Sequence, residues 1–154
     1  MGGEFGQWRE WTETQSLDWH LLDSPLHSGV QKLIRDLNQI YLERDALWHS
    51  DADATGFEWI DVDNAAENIV AFLRRTPETA NEIICVSNFS AVRRETYRLA
   101  LPREGRYQVL INTDNIAITD LESEPVAARG RENSALIDLP PLSTMWLCMR
   151  SSRS

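Results

Sequence analysis

The sequence predicts a mainly β protein: a C-terminal antiparallel β-sandwich preceded by a loop and one amphipathic helix. Three observations carry that expectation. Strand-length apolar runs recur between polar turns from residue 57 to residue 149, a spacing typical of sandwiches. One segment has its apolar residues at helical spacing: Val30, Leu33, Ile34, Leu37, Ile40 and Tyr41. Between these two regions lies the small, polar run Ser50-Asp51-Ala52-Asp53-Ala54-Thr55-Gly56. It divides the chain into residues 1–50 and residues 51–154.

Residues 1–23 mix Gly, Trp and acidic side chains with no clean period. Met1-Gly2-Gly3-Glu4-Phe5 reads as the mouth of a strand. Ser24-Pro25 is a helix entry signal, since Ser can cap and Pro is tolerated at the first helical position. The apolar stripe follows, with Gln31, Lys32, Arg35, Asp36, Asn38 and Glu43 on the other face. A short helical turn is expected at Asp45-Ala46-Leu47-Trp48. The strands are expected at residues 57–62, 68–74, 82–88, 96–101, 107–111, 136–139 and 144–149. Pro140-Pro141 cannot lie in a central strand, so it separates the last two. Residues 114–134 are acidic and lack periodicity.

The stripe is expected to be a core face. Fully burying each such side chain contributes about 1.5–3 kcal/mol, too much to leave wet. The helix should therefore dock on the sandwich or on a second copy of the chain.

Charge and composition exclude several classes. The formal net charge is −9, and the nearest thing to a basic run is the pairs Arg74-Arg75 and Arg93-Arg94. A nucleic-acid partner needs clustered positive charge, and so does an anionic membrane. No apolar run approaches the roughly 20 residues that span a bilayer, and no signal peptide is visible. Cys85 and Cys148 lie far apart in strand-like runs, as reduced core thiols of a cytoplasmic protein would. His20, His27 and His49 lack metal-ligand spacing.

One stretch speaks of chemistry. Gly3-Glu4-Phe5-Gly6-Gln7-Trp8-Arg9-Glu10-Trp11, then Ser16-Leu17-Asp18-Trp19-His20, crowds three indoles into a polar segment. Pyranose faces stack on aromatic rings, and sugar hydroxyls need planar carboxylates and amides. Glu4, Gln7, Trp8, Trp11, Asp18 and Trp19 are thus the candidate sugar-contacting residues. The competing reading is that the indoles pack and the charges cap local backbone. Trp59 and Trp146 sit on strands and read as core or edge packing.

This stretch resembles the final barrel strand and loop of the 1,4-α-glucan (glycogen) branching enzymes of the α-amylase superfamily. The resemblance continues in order through GVQKLIRDLN from Gly29, Gly56-Phe57-Glu58-Trp59-Ile60-Asp61, Asn88-Phe89, Asn112-Thr113-Asp114 and Leu139-Pro140-Pro141-Leu142. It implies that residues 1–50 are the terminal loop and last helix of a (β/α)₈ barrel and that residues 51–154 are the α-amylase type of C-terminal all-β domain. It implies a parent glycosyltransferase that moves an α-1,4-glucan segment to a 6-hydroxyl by two-step retaining transfer. No cofactor or metal is implied. The family's catalytic carboxylates would all lie upstream of Met1, leaving this chain inactive and in support of the barrel. The family often has a longer Gly-rich loop after its N-T-D motif; here that loop is short. The alternatives are a stand-alone carbohydrate-binding or structural module, or the tail of a related amylolytic enzyme.

Overall fold

A computed structural model describes residues 1–76, 81–114 and 120–150. The chain packs as two compact units, Met1–Glu43 and Arg44–Ser154.

The larger unit carries eight strands among the described residues: β1 (Phe57–Asp61), β2 (Ile69–Arg75), β3 (Glu82–Asn88), β4 (Arg94–Leu101), β5 (Arg106–Asn112), β6 (Leu121–Glu122), β7 (Asn133–Leu139) and β8 (Ser143–Met149). Six form one sheet in the order β1-β2-β3-β8-β5-β6, and β4 pairs with β7 in a second. The pairings are antiparallel. Period-two alternation sets the inner faces. Ile69, Ala71 and Leu73 of β2 are buried, while Val70, Phe72 and Arg74 between them are half-buried. The inner residues meet Leu99 and Leu101 of β4 and Ala135, Ile137 and Leu139 of β7 in one apolar core. β3 is buried on both faces from Ile83 to Asn88, as a central strand must be. A 3₁₀ turn at Asp45–Leu47 contacts β2 and β3, with Ala46 and Leu47 buried.

Asp61 is one buried polar group of this unit that has partners. Asp61 accepts from the Tyr97 hydroxyl at 2.6 Å and from Asn64 Nδ2 at 3.1 Å, and it pairs with Arg129 at 2.8 Å. This ties β1 of one sheet to β4 of the other. Burial, then the Asp61 charge beside it, pushes the Tyr97 phenol well above its ordinary range.

The strands fall where the sequence places them, with ends differing by at most two residues except in β7, which starts three residues earlier than expected. β6 is the exception, a two-residue strand in the aperiodic acidic segment, held to β5 through Arg106 and Tyr107. The short loop after Asn112-Thr113-Asp114 lies, at residues 115–119, outside the described residues. Pro140 and Pro141 sit between β7 and β8 as expected.

In the smaller unit the helix α1 runs Pro25–Glu43. It starts with Pro25, and the Ser24 carbonyl accepts from the Ser28 amide at 3.0 Å. His27 is its buried residue. The predicted core stripe is half-buried at Leu33, Ile34, Leu37 and Ile40 and exposed at Val30 and Tyr41. The expected strand mouth at residues 1–5 is instead a 3₁₀ turn, Gly3–Phe5. Gly2 and Gly6 flank it at φ 88° and 69°, a left-handed region open to glycine at little cost. The Gln7 amide bonds back to the Gly2 carbonyl at 3.0 Å. The chain turns on its glycines here instead of extending. A second 3₁₀ turn spans Trp19–Asp23.

Candidate functional site

The opening stretch is a loop closed by one guanidinium. Arg9 forks onto Asp18, with Nε to Oδ2 at 2.8 Å and Nη2 to Oδ1 at 2.7 Å. Its Nη2 also donates to the Ser16 carbonyl at 2.9 Å, and its Nη1 meets the Gln15 side chain. Two parallel charge-assisted bonds fix geometry as well as energy. The Arg9 hydrogen bonds hold the Asp18 carboxyl below the usual carboxylate range. Gln7 staples the same loop from inside. Its Oε1 accepts from the Asp18 amide at 2.9 Å, and its Nε2 donates to the Arg9 carbonyl at 2.9 Å. Glu4 Oε2 accepts from the Gly2 amide at 2.9 Å. Its carboxyl is also lowered, first by its own backbone amide and then by that of Gly2.

The rings are placed from below. Phe5 is buried and lies 5.3 Å from Trp19 between ring centroids, tilted by 31°. The Phe5 carbonyl lies 2.8 Å from His27 Nδ1. A carbonyl can only accept, so Nδ1 carries the proton. The His27 ring in turn meets Trp8 edge-on at 5.2 Å. Thus α1 supports Trp8 directly and Trp19 through Phe5. Trp8 is 83% exposed and Trp11 44%.

Of the six expected contact residues, the structure joins Gln7 to Asp18 directly and sets Trp8 and Trp19 on one Phe5–His27 foundation. Glu4 is spent on the turn before them. The polar members hold the loop together and the indoles face out. Arg9, Phe5 and His27 escaped the sequence reading. Arg9 and Asp18 are nine residues apart in a loop, and no local rule pairs them. His27 did carry a signal: it continues the helical phase of Val30, Ile34, Leu37 and Tyr41.

A retaining dyad needs two free carboxyls about 5–5.5 Å apart, and the carboxylates of Glu4 and Asp18 are committed to internal bonds. No group of His, Cys, Asp and Glu that could hold a metal ion occurs among the described residues. No helix among them is long and apolar enough to cross a membrane.

The sandwich presents a second aromatic group. Trp59 lies opposite Phe72 in the β1–β2 register, so both point to the outer face of the larger sheet. Phe57 meets Trp59 at 4.8 Å edge-on and stacks on Phe72 at 5.3 Å. Trp59 remains 50% exposed on this support. Strand alternation alone did not say which rings face out; the register does.

Residues 59–150 match the family described as the α-amylase C-terminal all-β domain. The chain belongs to that family. The α-amylase C-terminal sandwich is therefore what β1–β8 build. The chain is also 42% identical to the 1,4-alpha-glucan branching enzyme GlgB of Myxococcus xanthus and 44% identical to that of Roseobacter denitrificans. Both alignments cover 95% of this chain and 21% of the relative, so the chain spans about a fifth of these relatives' length. Among solved structures, a Bacillus licheniformis trehalose-6-phosphate hydrolase aligns over 79% of this chain and 18% of its own, at 16% identity and TM-score 0.51. An inactive MutB double mutant in complex with isomaltulose aligns over the same shares, at 24% identity and TM-score 0.50. These two likenesses speak for the fold.

Proposed function

We propose that this chain is the C-terminal segment of a 1,4-α-glucan branching enzyme, a glycosyltransferase that forms α-1,6 branches in a glycogen-like glucan in the cytoplasm. One observation carries this. The identity of 42–44% to branching enzymes runs over 95% of the chain, whereas the sandwich family begins only at residue 59. The likeness therefore includes the tryptophan-rich opening stretch, which an α-amylase-type sandwich alone does not require.

In this reading residues 1–50 are the last loop and helix of the catalytic barrel and residues 51–154 its supporting sandwich. Trp8, Trp11 and Trp19 supply stacking surface for α-glucan. Glu4, Gln7 and Asp18 keep those rings in place, with their outer lone pairs available to sugar hydroxyls. The helical stripe, half-buried at Leu33, Ile34, Leu37 and Ile40, is the part of α1 that the barrel covers; a second copy of the chain is the alternative cover. The chain alone is inactive, because the transferring carboxylates belong to the remainder of the enzyme. Trp59, half-exposed over Phe57 and Phe72, favours a second reading in which the sandwich itself touches glucan.

The test is a chimera of the Myxococcus xanthus enzyme in which its matching C-terminal fifth is replaced by this chain. Branching activity within about tenfold of the parent is expected. A folded chimera without branching activity would contradict the assignment.

A further inference from the structure

Four arginines meet around one hollow in a chain whose net charge is −9. An open cavity of about 400 Å³ is lined by Arg93, Arg94, Arg98 and Arg129, with Glu67, Glu95 and Thr96 in the same wall. Glu67 comes from the turn between β1 and β2, residues 93–98 from the start of β4, and Arg129 from the loop before β7. The register of β4 on β7 shifts between Arg94 and Tyr97. Such an irregularity re-aims side chains out of strict alternation.

The four guanidinium groups are committed to different degrees. Arg93 forks onto Asp138 through Nε at 2.9 Å and through Nη2. Arg98 Nη1 donates to Glu124 Oε2 at 2.8 Å and to Ser134 Oγ at 2.9 Å. Arg129 Nη2 pairs with Asp61 Oδ2 at 2.8 Å. Arg94 is held loosely. Its Nη1 stands 4.0 Å from Glu67 Oε1, and its Nη2 donates to the Glu67 carbonyl at 3.5 Å. Its Nε is buried without a hydrogen-bond partner, one of three such side-chain atoms among the described residues. A buried donor left unmade carries a desolvation cost and calls for an acceptor. Charged side chains guard exposed strand edges, and that accounts for arginines that are paired in solvent. It does not account for a buried guanidinium nitrogen with nothing to donate to.

We propose that this cavity binds a phosphorylated sugar, with the phosphate on the Arg94 guanidinium. A guanidinium matches a phosphate through two parallel N–H bonds. Arg98 and Arg129 add positive charge in the same wall. The cavity falls within the roughly 300–1,000 Å³ of small-molecule sites. Glu67, Glu95 and Thr96 supply the polar oxygens that sugar hydroxyls need. A nucleic-acid backbone is a poorer ligand, because it needs an extended basic surface, and this chain has one basic hollow on an acidic body. The inference stands on the sandwich and goes beyond the branching-enzyme reading; neither depends on the other.

Titration of the ¹⁵N-labelled chain tests it, with the arginine Nε–Hε signals read by nuclear magnetic resonance. The probes are glucose 6-phosphate, inorganic phosphate and glucose. The expected result is a saturable shift of the Arg94 signal with glucose 6-phosphate, half-complete at about 1 mM or below and at least about fivefold tighter than with inorganic phosphate. Glucose should leave it in place, and the Arg150 signal should not move with any probe. Equal affinity for glucose 6-phosphate and inorganic phosphate would make the ligand the free anion and overturn the sugar phosphate. No saturable shift up to about 10 mM of either would overturn the site altogether. Arg94→Gln supplies the second measurement, beside Arg150→Gln, which removes the same charge next to Asp120 and outside the cavity wall. Glucose 6-phosphate should raise the Tm of the unsubstituted chain and of Arg150→Gln, with the rise lost in Arg94→Gln. A rise kept in Arg94→Gln, or lost equally in both variants, would overturn the proposal. The titration of the unsubstituted chain decides the matter even where Arg94→Gln does not fold.

Discussion

The opening loop and the sandwich are held by different physics. In the sandwich, apolar side chains from two sheets fill one core, and two buried polar residues, Asp61 and Asn88, bridge its elements by hydrogen bonds. In the opening loop, order comes from a handful of polar bonds converging on Arg9, Gln7 and Asp18, while three indoles remain in solvent. A core distributes its stability over many contacts. A loop closed by one guanidinium concentrates its order in one residue.

The sharpest way to break this contrast is in the core. Leu147→Ala on β8 or Leu99→Ala on β4 should cost about 2–5 kcal/mol of unfolding free energy, since both side chains are fully buried. Urea unfolding followed by circular dichroism would read this; a loss under about 1 kcal/mol would mean that the two sheets are not packed as described. Next is Asn88→Ala, which leaves buried carbonyls and the Ser90 amide without their partner. A loss of about 1–3 kcal/mol is expected, by the same measurement.

Smaller global effects are expected in the loop. Arg9→Ala should leave the midpoint of sandwich unfolding unchanged but raise hydrogen exchange of the Ser16 to Trp19 amides. Unchanged exchange would show that the Arg9 bonds do not order the loop. Acid should imitate this substitution. The folded Asp18 pKa is depressed by Arg9, so the stability that it contributes is present above the unfolded carboxyl value of about 3.9. It is lost as pH falls through the depressed folded value. Exchange in the loop should therefore rise below about pH 4 in the native chain and be flatter in Asp18→Asn. The smallest effect concerns Cys85, whose thiol burial pushes up to about 11. It should label slowly with a thiol reagent at pH 8 in the folded protein and at once in urea.

Much of the sandwich was legible because strand alternation and turn residues are local signals. Ile69, Ala71 and Leu73 announce an inner face by themselves. β6 was not legible, since two residues carry no period. The strand mouth at residues 1–5 failed for another reason: the reading inherited the barrel's expectation, whereas Gly2 and Gly6 at positive φ turn the chain back. In the opening site the ring types were legible and their supports were not. Trp8 and Trp19 depend on Phe5 and His27, and the Phe5–His27 bond links residues 22 positions apart. The outward direction of Trp59 likewise needed the β1–β2 register.

An α-glucan surface formed by the opening indoles, as proposed, would be retarded by glycogen. Native electrophoresis in gels cast with and without glycogen tests it most directly, comparing the chain with a Trp8→Ala/Trp11→Ala/Trp19→Ala variant and with Trp59→Ala. The expected result is retardation of the chain by glycogen, largely lost in the triple variant and mostly kept in Trp59→Ala. Retardation kept in the triple variant and lost in Trp59→Ala would place the surface on the sandwich. No retardation of the unsubstituted chain would contradict the claim outright.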